Sequence, residues 1–284
     1  MELTKVGTQS MVALIVGAVL SVILPAALAL IWKFKKKERF TTILLGAATF
    51  MVFVLVLEKP IQNVLIFPAQ MGLPEHALAR AITASPILLS FLAALFPGVF
   101  EETGRLVMFK TVLKDRTNRE TSVSFGIGHG GFEVIMILGM SFVGYIVYAV
   151  MINTGAFGAV IDQITEQAPD QIESVYALAE QIATFTFADL GLMLAERLAA
   201  LLFHIAASVL VFYACRDKGK GWLYPLAVIL HTAMDFFAAL YLFELIVISP
   251  LIFECIVAVF GILVFLGAYL LLYRKDKEKG AVNG

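Results

Sequence analysis

Residues 9–32 read QSMVALIVGAVLSVILPAALALIW, and the next five, Lys33 to Lys37, read KFKKK. An uncharged run of this length matches the ~20 apolar residues needed to cross a hydrocarbon core about 30 Å thick. Ala27-Leu28-Ala29 has the form of a signal-peptide cleavage site. The run is too long for a signal segment, however, and the lysines after it form a stop-transfer pattern, so it reads as a retained spanning helix.

The same reading extends along the chain. Apolar stretches near 40–58, 84–113, 121–152, 186–215, 221–242 and 245–273 bring the expectation to seven spans. Of the 284 residues, 60% are hydrophobic and 15% charged, against about 45–50% and about 25% in soluble domains. Such a chain cannot hide its apolar surface in one water-soluble core. A soluble enzyme, a nucleic-acid binder, a disordered chain and a disulfide scaffold are thereby excluded. The fold class expected is an all-α polytopic membrane protein, a single transmembrane domain over 1–284 with a polar intramembrane cavity.

Charge placement predicts the orientation. Seventeen of the 21 basic residues fall in 33–39, 105–119, 216–220 and 274–279, all on one side of a seven-span chain. The positive-inside rule makes that side cytoplasmic, with the N-terminus outside the cell membrane and the C-terminus inside. The opposite side holds 153–185, an extracytoplasmic loop with Asp162, Glu166, Asp170, Glu173 and Glu180 and no basic residue. The segment 59–80, with Pro60, Pro68 and Pro74, is expected as an outer interfacial or re-entrant piece.

Against this background Glu101, Glu102, Arg105, His129, Glu133, Glu196, Arg197, His204, His231 and Asp235 stand inside the spans. A charge at the bilayer centre costs on the order of 2.5–3.5 kcal/mol, and a domain is stable by only about 5–15 kcal/mol. These groups must therefore face one another or water. Glu101, His129, His204 and His231 each lie about 10–13 residues from a basic flank on the cytoplasmic side. At ~1.5 Å per residue that is roughly 15–20 Å deep, one level on four helices. His129/Glu133, His231/Asp235 and Glu101/Arg105 are spaced i,i+4 and share a helix face, so each acid is expected to orient its imidazole, to act as a second ligand or to be a structural partner, and Arg105 to hold Glu101 ionised.

The structural alternatives are an ion pair of Glu101/Glu102 with Arg105 or Arg197, and histidines acting as helix–helix hydrogen-bond partners. Three histidines at one depth weigh toward a site, and adjacent carboxylates cannot both pair cheaply at low dielectric. Asp189, Glu196 and His204 lie near one helical stripe, and Asp189 is expected to face the bundle. Gly126-xxx-Gly130 reads as a close-packing face that brings His129 near its neighbours, and Pro97-Gly98 as a kink.

At these residues the chain resembles the YhfC-like membrane peptidases, within the broad group that includes the PrsW proteases and the type II CAAX prenyl endopeptidases. Glu101-Glu102-Thr103-Gly104-Arg105 resembles the shorter PrsW spacing, with Arg where PrsW has Lys. Phe125 to His129 fits FxxxH, and His231 to Asp235 fits HxxxD; His204 lies outside the pattern. The resemblance covers roughly 95–240. It implies hydrolysis of peptide bonds in membrane-associated peptides or proteins, with Glu101 activating water and the histidines polarising the carbonyl, holding water or binding metal.

His129, His204 and His231 suffice as ligands for one Zn²⁺ in a three-ligand site with an open position, with Arg105, Glu133 and Asp235 behind them. Without metal, protonated imidazoles would serve as oxyanion donors. The expected catalytic set is Glu101, Glu102, His129, His204 and His231. The rival classes are a divalent-metal or proton-coupled transporter, which would more often show inverted repeats, and a non-catalytic binding or immunity protein.

Overall fold

The computed structural model describes residues 3–276, and all regular structure among them is helical. Seven helices are long and apolar enough to cross a bilayer: α1 (Thr8–Lys36), α2 (Phe40–Ile66), α4 (Pro86–Lys110), α5 (Glu120–Thr154), α8 (Phe187–Arg216), α9 (Leu223–Leu242) and α10 (Pro250–Asp276). Shorter helices are α3 (Ala77–Thr83), α6 (Phe157–Gln167) and α7 (Ile172–Ala183). The chain is thus an all-α polytopic membrane protein. Large apolar side chains such as Ile15, Val19 and Ile23 on α1 and Leu251, Val259 and Leu263 on α10 are exposed, as lipid-facing surfaces must be. Of the expected basic segment 274–279, Lys277 and Lys279 lie outside the described residues.

Several boundaries differ from those expected. The second span runs on to Ile66 rather than stopping at 58. Met51–Glu58 wind as a π-helix, in which the Lys59 N–H bonds the Val54 carbonyl, and the helix passes through Pro60 without a break. The segment 153–185 is largely helical: α6 and α7 bury Phe157, Ala179 and Ile182, and all five acids of the segment are exposed. Asp189 does not face the bundle. It caps α8, its carboxylate accepting from Thr186 N–H at 2.8 Å while Thr186 Oγ1 accepts from Asp189 N–H at 3.2 Å. This reciprocal box satisfies donors that a helix start otherwise leaves open.

The described residues form two compact units. One joins the chain up to Ala27 with Val134–Arg197; the other joins Leu28–Glu133 with the chain from Leu198. The first unit packs Leu14, Leu138, Phe142, Ile152, Phe157 and Ile182. Gly17 is what admits the Phe142 ring to α1, since a Cβ there would meet its Cζ at 2.5 Å. Asn153 bonds both the N–H and the carbonyl of Val6, at 2.9 and 3.0 Å.

The second unit holds every residue of the expected site. Its core packs Phe109, Phe125, Ile205, Val209 and Phe212 together. Close backbone approach sets the helix positions. On α5, a Cβ at Gly126 would meet Ile205 Cα at 2.6 Å, one at Gly130 would meet His204 Cβ at 2.9 Å, and one at Gly128 would strike the Ile43 carbonyl. The expected packing role of Gly126 and Gly130 is therefore seen, and both glycines face α8 at His204. Gly98 on α4 lies against Thr232 of α9, the neighbour of His231.

Candidate active site

The α4 helix is the spine of the site. Pro97 lacks the N–H that would pair with the Ala93 carbonyl, and the Gln62 side chain donates to that carbonyl instead at 3.2 Å. The helix continues, and one turn later it presents Glu101, Glu102 and Arg105, all buried.

Arg105 is fully buried and binds in four directions. Its Nη1 donates to Glu102 Oε1 at 2.6 Å, its Nε to Ser208 Oγ at 3.2 Å and its Nη2 to His204 Nδ1 at 2.7 Å, and it lies 3.6 Å from Glu101 Oε2. A guanidinium has donors only. His204 Nδ1 must therefore be the acceptor, which leaves its Nε2 to pair with Glu133. Glu133, expected to orient His129 from the same helix, thus reaches across to His204.

Glu102 Oε1 also meets His231 Nδ1 at 2.8 Å, so the imidazole donates there and turns Nε2 away. Asp235 Oδ2 lies 3.5 Å from that Nε2, in line with the expected i,i+4 pairing. With the proton on Nδ1, Nε2 and Oδ2 are two acceptors facing each other, and a cation or a proton fits between them. Asp235 is also the most accessible member of the cluster, its side chain 29% exposed while those of Arg105, Glu102 and His231 are at 3% or less.

Glu101 stands between the histidines. Its Oε2 accepts from His129 Nε2 at 2.8 Å and lies 3.6 Å from His204 Nδ1, whereas its Oε1 has no hydrogen bond among the described residues. His129 Nδ1 has no hydrogen-bond partner among the described residues, and the ring sits edge-on to Phe50 with centroids 5.4 Å apart. The ring centroids of His129 and His204, and of His204 and His231, are each 5.4 Å apart. The four helices do bring the expected layer together.

Among the described residues, the group able to hold a metal ion is Glu101, His204 and His231, whose ligand atoms all lie within 4.8 Å of one another. It differs by one residue from the three expected histidines: His129 lies outside it, and His204 would ligate by giving up its contact with Arg105 or with Glu133. The donor set fits a metal: two imidazoles and a carboxylate are ordinary transition-metal ligands. The Glu102 carboxylate on His231 Nδ1 is the kind of partner that fixes a ligating histidine. Arg197 pairs with Glu196.

Two participants were not singled out by the sequence reading. Ser208, one turn beyond His204, accepts from Arg105 and donates to the His204 carbonyl at 2.8 Å. Glu58 is fully buried in the π-helical stretch, 3.1 Å from Lys59 Nζ and within electrostatic reach of Glu101 and Asp235. The signal for Ser208 was its i,i+4 spacing from His204. That for Glu58 was a carboxylate at the end of an apolar run.

No solved structure matches the chain. A relative, described as "Uncharacterized membrane protein YhfC" of Bacillus subtilis (strain 168), is 28% identical over 236 residues, covering 83% of this chain and 86% of the relative. The sequence also fits the profile of the YhfC intramembrane metalloprotease family over residues 20–273, and the chain belongs to that family.

Proposed function

We propose that the protein is a metal-dependent intramembrane peptidase that hydrolyses peptide bonds of membrane-associated peptides or proteins. The observation that carries this reading is the convergence of Glu101, His204 and His231 on one buried point. Those residues would hold the ion, and zinc suits such a donor set. A bound zinc would supply Lewis-acid polarisation of the carbonyl and of water.

The chain's own groups do the rest. His129 anchors Glu101 through Oε2 and leaves Oε1 to take a proton from the attacking water. The water oxygen adds to the carbonyl carbon, the C–N bond breaks, and Glu101 returns the proton to the leaving nitrogen. Glu102, itself anchored by Arg105, holds the His231 ring in place. Asp235 marks the accessible edge where water and the scissile bond enter.

The test is peptide hydrolysis in reconstituted vesicles with bound-metal analysis, comparing wild type with Glu101→Gln. The expected result is a fall in activity of roughly 10²-fold or more. Raising the metal concentration should restore occupancy through His204 and His231 without restoring activity. If Glu101→Gln remains active, Glu101 is not the base. If the purified wild type neither binds metal nor cleaves any membrane-associated peptide, the peptidase reading fails.

We place the N-terminus outside and the C-terminus in the cytoplasm of a cell whose plasma membrane holds the protein. The asymmetry of basic residues supports this.

A further inference from the structure

Apart from the polar cluster, the second unit contains a groove of about 380 Å³ between α1, α5, α8 and α10. Its walls are apolar, built by Leu28, Ile127, Leu202, Ile205 and Phe265. At one end the lining changes to Trp32, Lys36 and Tyr273. The step from Leu28 to Lys36 is two helical turns, as is that from Phe265 to Tyr273, so the groove is roughly 12 Å long at ~1.5 Å per residue. That is most of the depth of one leaflet of a hydrocarbon core about 30 Å thick.

The polar end is built. Trp32 Nε1 donates to Ser124 Oγ at 2.8 Å, which fixes the indole as a wall. Lys36 Nζ lies 5.5 Å from the centre of that ring and has no carboxylate partner among the described residues. A second cation at this end, Arg119, is already engaged: it stacks on Tyr273 at 4.6 Å and pairs with Glu120 at 3.1 Å. An apolar channel one leaflet deep, ending at one unpaired ammonium in a run of four lysines, complements a molecule with a long apolar tail and a single anionic head.

We propose that this groove binds one acyl chain of an anionic phospholipid of the surrounding bilayer, with the headgroup phosphate at Lys36. A free anion would gain nothing from the apolar walls. A zwitterionic lipid would fill them but carries no net charge for Lys36 to select. The site is independent of the peptidase reading. It does adjoin the machinery, since Ile205 follows His204 in α8 and Ile127 lies two residues before His129 in α5.

Trp32 provides the probe, because the chain has only one other tryptophan, Trp222. In a Trp222→Phe background, the full chain is reconstituted into unlabelled phosphatidylcholine vesicles. Increasing fractions of acyl-brominated phosphatidylglycerol or phosphatidylcholine are then included, and Trp32 fluorescence is read. Brominated phosphatidylglycerol should quench at about fivefold lower mole fraction, the preference that one lysine at a membrane surface gives. Lys36→Gln, at an exposed position, should abolish that difference. Ala268→Phe, which puts a ring into the groove, should lower quenching by both lipids. Equal quenching by the two lipids in wild type would mean ordinary surrounding lipid and overturns the proposal. So does a difference that survives Lys36→Gln, or quenching that Ala268→Phe leaves unchanged. Absence of quenching by either lipid would show that something else, such as a helix of a second copy, fills the groove, and also refutes it.

Discussion

Replacing Arg105 by alanine would leave the Glu102 carboxylate fully buried with only His231 beside it. Stranding one partner of a buried ion pair costs about 3–5 kcal/mol. Arg105→Ala is therefore expected to lower folded yield and thermal stability, read by melting of the purified protein in detergent. A variant as stable as wild type would show that Glu102 does not depend on Arg105 to remain buried. Glycine positions give a second residue-scale prediction. A Cβ at Gly128 strikes the backbone carbonyl of Ile43, which cannot rotate aside, so Gly128→Ala should cost about 1–3 kcal/mol or more. Gly144, on the same helix but with open space where its Cβ would be, is the control. Gly144→Ala should be neutral or stabilising by up to ~1 kcal/mol. Equal effects of the two substitutions, measured by melting, would remove the close-approach argument.

At the scale of elements, α4 has to cross the membrane with a proline inside it. The chain meets that requirement from α2, whose Gln62 donates to the Ala93 carbonyl. Gln62→Leu keeps the side-chain bulk but leaves the carbonyl unsatisfied in a medium without water. The expected loss is about 1–3 kcal/mol. Because the freed carbonyl lies two turns before Glu101, activity should also fall more than in an equally destabilised variant far from α4. If Gln62→Leu melts like wild type, Pro97 is tolerated by other means. The π-helical stretch of α2 ends on the buried Glu58, and one turn later the same helix brings Gln62 to this place.

For the whole molecule, the testable statement is which side each connection occupies. With Cys215 and Cys255 first replaced by serine, a cysteine at Asp170 should react with an impermeant thiol reagent applied from outside. Cysteines at Lys37 or Arg116 should react only after the membrane is opened. The reverse pattern would invert the proposed orientation while leaving the fold intact, because the rule that predicts it concerns insertion and not packing.

Composition and run length alone determined that the protein is an all-α membrane bundle and how many spans it has, since the penalty for bare apolar surface in water admits no other solution. They also placed Glu101, His129, His204 and His231 at one depth, because depth along a helix is a count of residues. What the count does not contain is rotation about each helix axis and the choice among neighbours at the same level. Those depend on which backbones can touch, at Gly98, Gly126, Gly128 and Gly130. Only the tertiary structure therefore decided that Glu133 meets His204, that Arg105 joins Glu102 to His204 and Ser208, and that Glu101 takes the converging position expected for His129. The amphipathic helices in 153–185 and the continuation of α2 past Pro60 were missed for a related reason. Apolar residues every three or four positions mark a helix only where there is a partner to bury them against, and a proline reads as a break unless the preceding turn changes its hydrogen-bond spacing.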